Sequence, residues 1–201
     1  MIFVITGPSG CGKSTLANRV LEDVRDIQFS VSHTTRKKRD SEEEGKDYYF
    51  ISKAEFEQMI KEEKMTEWAV VHSSYYGTSR KEIEKKGAQG DLLLNIDVQG
   101  AQQMMERFKK AIFIFVVPPS FQELEKRLKK RGDESPGSIK ERLEAAKKEI
   151  RHYPQFDYII INDELDHAAM ELKSIILSTR CRLESRKKEL VPILRSFSED
   201  L

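Results

Sequence analysis

The sequence has few of the features that mark secreted or membrane-spanning proteins. Its 201 residues include two cysteines, Cys11 and Cys181, which are too few and too far apart to indicate a disulfide framework. No apolar run approaches the roughly 20 residues that cross a bilayer. The opening "MIFVITGPSG" lacks the charged region and long apolar stretch of a signal peptide. We therefore expect a soluble protein of the cytoplasm.

The sequence also lacks an excess of charge of either sign. Lys and Arg total 35, Asp and Glu total 34, and the net charge is +1. A general binder of nucleic acid or of membrane surfaces is normally far more basic, so we expect neither as a partner. Apolar residues make up 38% of the chain, which is enough for one core with small appended lobes. Monomer and homodimer both stay open.

Four short apolar runs predict the strands of a buried parallel sheet. None alternates apolar with polar residues, and segments with helical spacing of apolar residues separate them. The runs are "IFVIT" (2–6), "DLLLNID" (91–97), "AIFIFVV" (111–117) and "YIIIN" (158–162). Strand alternating with helix predicts a three-layer α/β fold with right-handed crossovers.

Two segments interrupt this alternation. Residues 32–79 are polar and aromatic, with strand-like pieces around one helical piece at 53–63, and they predict a small mixed α/β lobe inserted into the core. The remaining core would comprise residues 1–31 and 80–201. The stretch "KKRGDESPGS" (129–138) contains Gly and Pro and predicts a loop between two helices. The tail from Val191 onward follows the last predicted helix.

The stretch "GPSGCGKST" (7–15) fits the phosphate-loop pattern G-x-x-x-x-G-K-[ST], between a predicted strand and a predicted helix. Its glycines let backbone N–H groups turn inward around phosphate oxygens, and the helix N-terminus adds a positive dipole end. Lys13 would reach the β- and γ-phosphates, and the Ser14 hydroxyl would ligate Mg²⁺. The pattern predicts a nucleoside-triphosphate site formed by Gly7, Pro8, Ser9, Gly10, Cys11, Gly12, Lys13, Ser14 and Thr15, with Cys11 a spacer.

Asp97 ends a predicted central strand, where ligands of open parallel sheets bind. We expect its carboxylate to position Mg²⁺ or a substrate, and the alternative is an N-cap for the helix beginning near Val98. Asn95 would point to the same side.

The charge run "RKKRDSEEEG" (36–45) is either a hydrated surface or part of a site. Arg36 and Arg39 favour the site, because planar guanidinium groups suit a phosphate monoester. Tyr48 and Tyr76 could add hydroxyl donors. Glu67 stands beside Trp68 in an otherwise apolar run, so we expect its carboxylate to have a partner.

Taken together, these segments resemble the guanylate kinases, which phosphorylate GMP at the expense of ATP. The resemblance follows the family's order and extends to about residue 190. It is carried by "GPSGCGKST", "FSVSHTTR", "GKDYYF", "EWAVVHSSYYGTS", "LLLNIDVQG", "PPSFQELEKRLKKRG" and "IINDELD". It implies a P-loop NTPase fold with an inserted lobe that binds the nucleoside monophosphate, and a helical lid within about 126–145.

The resemblance also implies residue roles. Arg36, Arg39, Tyr48 and Tyr76 would bind the phosphate of GMP, and Ser32, Glu67, Thr78 and Asp97 would read the guanine. Arg131 and Arg142 would be lid arginines that meet the ATP phosphates, and Asn162 would lie near the adenine. The catalytic set would then be Lys13, Arg36, Arg131 and Arg142. Lys38 and Ser41 depart from the family pattern R-x-P-R-x-G-E, which leaves the path of the loop carrying Arg39 open.

Two rival functions can be weighed against a kinase for GMP. A guanylate-kinase-like interaction module typically lacks an intact phosphate loop, whereas Gly12, Lys13 and Ser14 are all present here. A related kinase acting on a ribose bisphosphate would have no use for Glu67 and Thr78, which the resemblance assigns to the base. We therefore expect a kinase that uses ATP, Mg²⁺ and GMP, with dGMP as a second acceptor.

Overall fold

The computed structural model describes residues 1–130 and 136–197. Within these ranges the strands are β1 (Ile2–Thr6), β2 (Ile27–Phe29), β3 (Ser32–Thr34), β4 (Tyr48–Phe50), β5 (Met65–Val71), β6 (Ser74–Ser79), β7 (Asp91–Asn95), β8 (Ile112–Val117) and β9 (Tyr158–Ile161). The helices are α1 (Lys13–Asp23), α2 (Lys53–Lys61), α3 (Arg80–Gly87), α4 (Val98–Arg107), α5 (Phe121–Lys130), α6 (Pro136–Glu149), α7 (Leu165–Arg180) and α8 (Leu183–Phe197), with a 3₁₀ helix at Ile150–Gln155.

A five-stranded parallel sheet forms the centre of the molecule, in the order β2-β7-β1-β8-β9. Both of its faces are covered. Phe3 and Ile5 pack on the side of α1 and α7, while Val4 and Leu94 pack with α4 on the other side. Full burial of each such side chain stabilises the fold by about 1.5–3 kcal/mol. The predicted three-layer α/β fold is confirmed.

A second, four-stranded sheet is formed entirely by strands within residues 32–79, in the order β4-β3-β6-β5. The β3–β4 pair is parallel, and β6 pairs antiparallel with both β3 and β5. Helix α2 covers this sheet with Phe56, which is fully buried and stacks on Tyr75 at a ring separation of 5.0 Å. The polar and aromatic segment therefore has its own small apolar centre.

Two predictions of elements need correction, and one element was missed. The edge strand β2 has only three residues and went unpredicted. In the sequence, the three- and four-residue spacing of Leu172, Ile175, Ile176, Thr179 and Leu183 predicts an apolar stripe on a single helix. In the structure α7 ends at Arg180 and α8 begins at Leu183. The segment from Val191 does not follow the last helix, because α8 continues through it to Phe197.

Helix α8 gives little sequence signal because no side chain between Leu183 and Phe197 is fully buried. Within the described ranges, no helix has the length and apolar character required to span a bilayer.

Candidate active site

The phosphate loop joins β1 to α1 with a backbone that only glycine tolerates at two points. Gly7 has φ 143°, and a Cβ there would lie 2.0 Å from the carbonyl oxygen of Val116 on β8. Gly12, the residue before α1, has φ 95°, and its Cβ would lie 2.3 Å from Nδ2 of Asn162. The loop is thus closely packed against Val116 and Asn162, and it leads directly into the N-terminus of α1, where anions bind.

Lys13 and Ser14 occupy the first turn of α1. Lys13 Nζ donates to the carbonyl oxygens of Gly7 (2.7 Å) and Pro8 (3.1 Å), so the ammonium lies across the loop. Ser14 Oγ accepts a hydrogen bond from Nδ2 of Asn95 at 3.1 Å. Asn95 reaches it because β7 is the parallel neighbour of β1, with Asn95 in register with Ile5.

Helix α6 contacts the phosphate loop through two charged side chains. Arg142 Nη1 donates to Ser9 Oγ at 3.3 Å, and Glu149 accepts a hydrogen bond from the Ser9 backbone N–H. Burial raises the pKa of Glu149, against the opposing effect of nearby Lys13. Sequence reasoning missed Glu149, because one acid at the end of a highly charged helix gives no signal.

Arg36 lies in a pocket of the second sheet, between aromatic rings and an acid. Its Nε donates to the Tyr76 hydroxyl at 3.1 Å, and its guanidinium carbon lies 5.3 Å from the Tyr48 ring centroid. Its two terminal nitrogens donate to both carboxylate oxygens of Glu42, at 2.8 and 2.6 Å. This hydrogen-bonded pair raises the pKa of Arg36. Glu42 was not among the predicted site residues, although its spacing from Arg36 was a usable signal.

Arg39 lies in the same loop, whose path the sequence left open because of Lys38 and Ser41. The Arg39 N–H donates to Glu42 at 2.9 Å. Arg39 lines the same cavity as Arg36. The two substitutions therefore do not remove Arg39 from the predicted phosphate site.

Glu67 has a buried carboxylate whose hydrogen-bonding capacity is only partly used by the described residues. The residue is 2% exposed on β5, opposite Thr78 of β6, and accepts hydrogen bonds from the Thr78 side chain and backbone. Its Oε1 has no hydrogen-bond partner among the described residues. Burial raises the pKa of Glu67 to about 7, the hydrogen bonds from Thr78 oppose the rise, and the charge of Asp97 adds to it.

Asp97 is an N-cap and also lies in the main cavity, while its role toward Mg²⁺ or a substrate stays a prediction. Its carboxylate caps α4 by accepting from the N–H groups of Gly100 (3.0 Å) and Gln99 (3.3 Å). It also lines the cavity that Glu67 faces. Ser32 Oγ and Thr78 Oγ1 are hydrogen-bonded at 3.2 Å beside this pair. A set of acceptors and hydroxyls thus surrounds one end of the cavity.

One cavity of about 800 Å³ brings most of the predicted residues together. The predicted residues that line it are Gly7, Ser9, Lys13, Ser14, Ser32, Arg36, Arg39, Tyr48, Glu67, Tyr76, Asp97 and Arg142. Thr78 is fully buried behind Glu67. Cys11 is also fully buried, which fits a spacer rather than an accessible reactive thiol. Arg131 lies outside the described residues.

Asn162 lies behind the phosphate loop rather than in the main cavity. Its Nδ2 donates to the Cys11 carbonyl at 2.8 Å and so braces the loop. It also lines a second cavity of about 300 Å³ beside Gly10, Gly12, Thr15 and Leu165. The adenine contact stays a prediction, and this second cavity is where it would occur.

The residues that line the main cavity fit a magnesium ion that would arrive with a nucleotide. Ser14 Oγ and the carboxylate of Asp97 line the same cavity, and hard oxygen ligands are what Mg²⁺ prefers. Among the described residues no cluster of three or more His, Cys, Asp or Glu side chains could hold a metal unaided. Mg²⁺ commonly uses few protein ligands together with substrate phosphates, so the residues present are compatible with it.

Comparisons with known proteins show the family of this chain. The family model described as guanylate kinase matches residues 1–179. A guanylate kinase of Cupriavidus metallidurans is 48% identical over 92% of this chain and 87% of its own length. One of Caldanaerobacter subterraneus subsp. tengcongensis is 41% identical over 98% and 96%. The crystal structure of guanylate kinase from Anaplasma phagocytophilum superimposes with a TM-score of 0.76 at 35% identity, covering 90% of this chain and 87% of that one. The chain therefore belongs to the guanylate kinase family.

Proposed function

We propose that this chain transfers the γ-phosphoryl group of ATP to GMP, and to dGMP, in a Mg²⁺-dependent reaction that gives ADP and GDP or dGDP. One observation about Glu67 carries the proposal. Its carboxylate lines the main cavity, and the buried Oε1 atom of that carboxylate has no hydrogen-bond partner among the described residues. A buried acceptor without a donor costs free energy, so a ligand that supplies the donor is expected to bind there.

Guanine supplies the missing donors, and adenine does not. Guanine presents N1–H and the N2 amine side by side, so one carboxylate can accept both hydrogen bonds. Adenine has an acceptor at N1 and nothing at C2, and it would leave Glu67 unpaired in a closed site. A site built to hydrogen-bond a substrate rejects the analogue lacking those groups by about 10⁴-fold or more.

The reacting phosphates would meet between the two ends of the cavity. We assign Lys13, Arg36, Arg142 and Arg131 the task of aligning and neutralising the two polyanions, with Arg39, Tyr48 and Tyr76 holding the acceptor phosphate. Mg²⁺ bound by Ser14 and the ATP phosphates would neutralise further charge. The acceptor is a phosphate oxygen already ionised at neutral pH, so a general base is unnecessary and positioning supplies most of the catalysis.

The proposal divides the chain into a core (1–31 and 80–201), a GMP-binding lobe (32–79) and a lid within about 126–145. Closure of the lobe and lid over both substrates would exclude water, which otherwise would hydrolyse ATP. A cytoplasmic location and the lack of nucleic-acid or membrane partners remain predictions from composition.

A coupled ADP-release assay with ATP, Mg²⁺ and each nucleoside monophosphate tests the proposal. We expect turnover with GMP, and turnover with AMP or UMP equal to that with GMP would contradict it. Lys13→Ala should abolish turnover while GMP binding largely survives. GMP binding without turnover by the wild-type protein would instead favour an interaction module.

A further inference from the structure

Arg36 uses most of its hydrogen-bonding capacity within the protein. A guanidinium group has five N–H donors. Nε donates to Tyr76, Nη1 donates to the Lys37 carbonyl oxygen (2.8 Å) and to Glu42, and Nη2 donates to Glu42. Four of the five N–H groups thus have partners among the described residues, and one N–H on Nη2 is left for a substrate. Arg36 therefore cannot form a bidentate pair of hydrogen bonds with a phosphate while it stays paired with Glu42.

The remaining N–H has a defined direction. Glu42 occupies the end of the guanidinium fork, where Nη1 and Nη2 point in parallel. The other Nη2 hydrogen lies on the side of Nε, and Nε points at the Tyr76 hydroxyl oxygen. Because that oxygen already accepts from Arg36, the Tyr76 proton is directed elsewhere. One N–H of Arg36 and the O–H of Tyr76 are thus neighbouring donors at the Nε/Nη2 edge of the guanidinium group.

Glu42 holds this arrangement from several directions. Besides Arg36, its carboxylate accepts from the Arg39 N–H, and its own N–H donates to the Arg39 carbonyl at 3.1 Å. The side chains of Arg36 and Glu42 are 19% and 13% exposed. Burial acts to raise the pKa of Glu42, but the hydrogen bonds from Arg36 and Arg39 outweigh it and lower that pKa. The carboxylate is therefore ionised at neutral pH.

We propose that Glu42 is a positioning residue for the acceptor phosphate. It fixes the plane of Arg36 so that one Arg36 N–H and the Tyr76 hydroxyl meet the phosphate together. The proposal rests on GMP being the acceptor. In this arrangement Arg36 donates one oriented hydrogen bond to the phosphate, in place of the two that a bidentate contact would give.

The competing possibility is that Glu42 is a stand-in anion that the GMP phosphate displaces from Arg36. Displacement would leave a mostly buried carboxylate without its guanidinium partner and next to an incoming dianion, which is costly. Removing the charge of Glu42 should weaken GMP binding if Glu42 positions Arg36, and should strengthen it if Glu42 competes with the phosphate. Substitution of Glu42 therefore distinguishes the two possibilities.

The test compares binding of GMP with binding of guanosine, which has the base but no phosphate. In Glu42→Gln the amide is uncharged and has one acceptor oxygen in place of two, so the paired, charge-assisted hydrogen bonds to the two terminal nitrogens of Arg36 are lost. Calorimetry should show GMP affinity reduced roughly ten- to hundredfold, the range expected for lost charge-assisted hydrogen bonds. Guanosine affinity should be unchanged, since Glu67 and Thr78 are untouched. Glu43→Gln, an exposed neighbour in the same loop, is the matched control and should bind GMP normally.

A double-mutant cycle checks that Glu42 acts through Arg36. The Arg36→Ala/Glu42→Ala protein should bind GMP about as weakly as Arg36→Ala alone, because the partner of Glu42 is already gone. The proposal is overturned by unchanged or tighter GMP binding in Glu42→Gln, by an equal loss for guanosine, or by additive losses in the cycle.

Wild-type turnover distinguishes failure of this proposal from failure of the proposed function. If the wild-type protein phosphorylates GMP and Glu42→Gln has the wild-type KM for GMP, only the role of Glu42 fails. If the wild-type protein neither binds nor phosphorylates GMP, both fail.

Discussion

Glu67 shows how a single residue can be unfavourable for stability and still fit the proposed function. Its pKa is raised from 4.5 to about 7 because the side chain is buried with one oxygen unpaired. Ionising it in the folded protein costs about 3 kcal/mol relative to the unfolded chain. A ligand with two adjacent N–H donors would recover that free energy, which links the cost to the specificity proposed for the site.

Replacing Glu67 by Gln should therefore stabilise the unliganded protein in a pH-dependent way. Below the unfolded pKa of about 4.5 the wild-type carboxyl is protonated in both states, so the variant gains nothing from its lack of charge. As pH rises through 7 the wild-type protein loses stability, and the variant should become more stable by up to about 3 kcal/mol. Urea unfolding of both proteins at pH 5 and pH 8 measures this difference, and a gap independent of pH would contradict the assignment.

At the scale of elements, the two sheets are joined by side chains of α4 that cover the edge of β5. The Gln103 amide donates to the Trp68 carbonyl at 2.7 Å and accepts from the Trp68 N–H at 3.2 Å. Arg107 Nη1 donates to the Thr66 carbonyl at 2.5 Å. These bonds satisfy backbone groups that an edge strand would otherwise expose. They also fix the strand carrying Glu67 to the helix that Asp97 caps.

Arg107→Ala should weaken this connection without touching the cavity. We expect a loss of about 1–3 kcal/mol in unfolding free energy, the usual range for a hydrogen bond to a charged donor. Backbone amides of β5 should exchange faster with solvent in the variant. Lys109→Ala, an exposed cation just beyond α4, is the control and should leave both measurements unchanged.

The elements differ in how well the sequence predicts them. The buried strands and the phosphate loop are predicted well, because uninterrupted apolar runs and a spaced glycine pattern each have few structural solutions. Strand β2 is too short for a pattern, and α8 has no buried side chain that would give it apolar spacing. Glu149 was missed because a charged residue in a highly charged helix acquires its role only from partners that folding brings near, whereas Glu42 had a usable signal in its spacing from Arg36.

At the scale of the whole molecule, the cavity separates two groups of cations that the reaction would bring together. Lys13 belongs to the core, whereas Arg36 and Arg39 belong to residues 32–79. Because α4 holds the β5 edge, movement should be greatest at the opposite side of the second sheet, near β4 and the loop that carries Arg36 and Arg39. The sequence predicts the core and the inserted lobe, but only the placement of their cations around one cavity indicates which surfaces would approach each other on closure.

Small-angle scattering should detect this closure. We expect a smaller radius of gyration for the complex with a bisubstrate analogue, in which adenosine and guanosine are joined through phosphates, than for the protein alone. Either nucleotide alone should produce a smaller change, because closure requires both charged ends to be occupied. Superimposable scattering curves for the free protein and the complex would contradict the predicted closure.

The central claim is that Glu67 selects guanine through two adjacent donors, and one comparison of acceptors tests it most directly. Hypoxanthine keeps N1–H but lacks the N2 amine, so IMP differs from GMP by a single donor. The wild-type protein should show kcat/KM values in the order GMP, IMP, AMP, with GMP at least tenfold above IMP, as expected for one lost hydrogen bond to a charged group. Glu67→Gln should lose most of this discrimination. Equal kcat/KM for GMP and IMP in the wild-type protein, or unchanged discrimination in Glu67→Gln, would contradict the account.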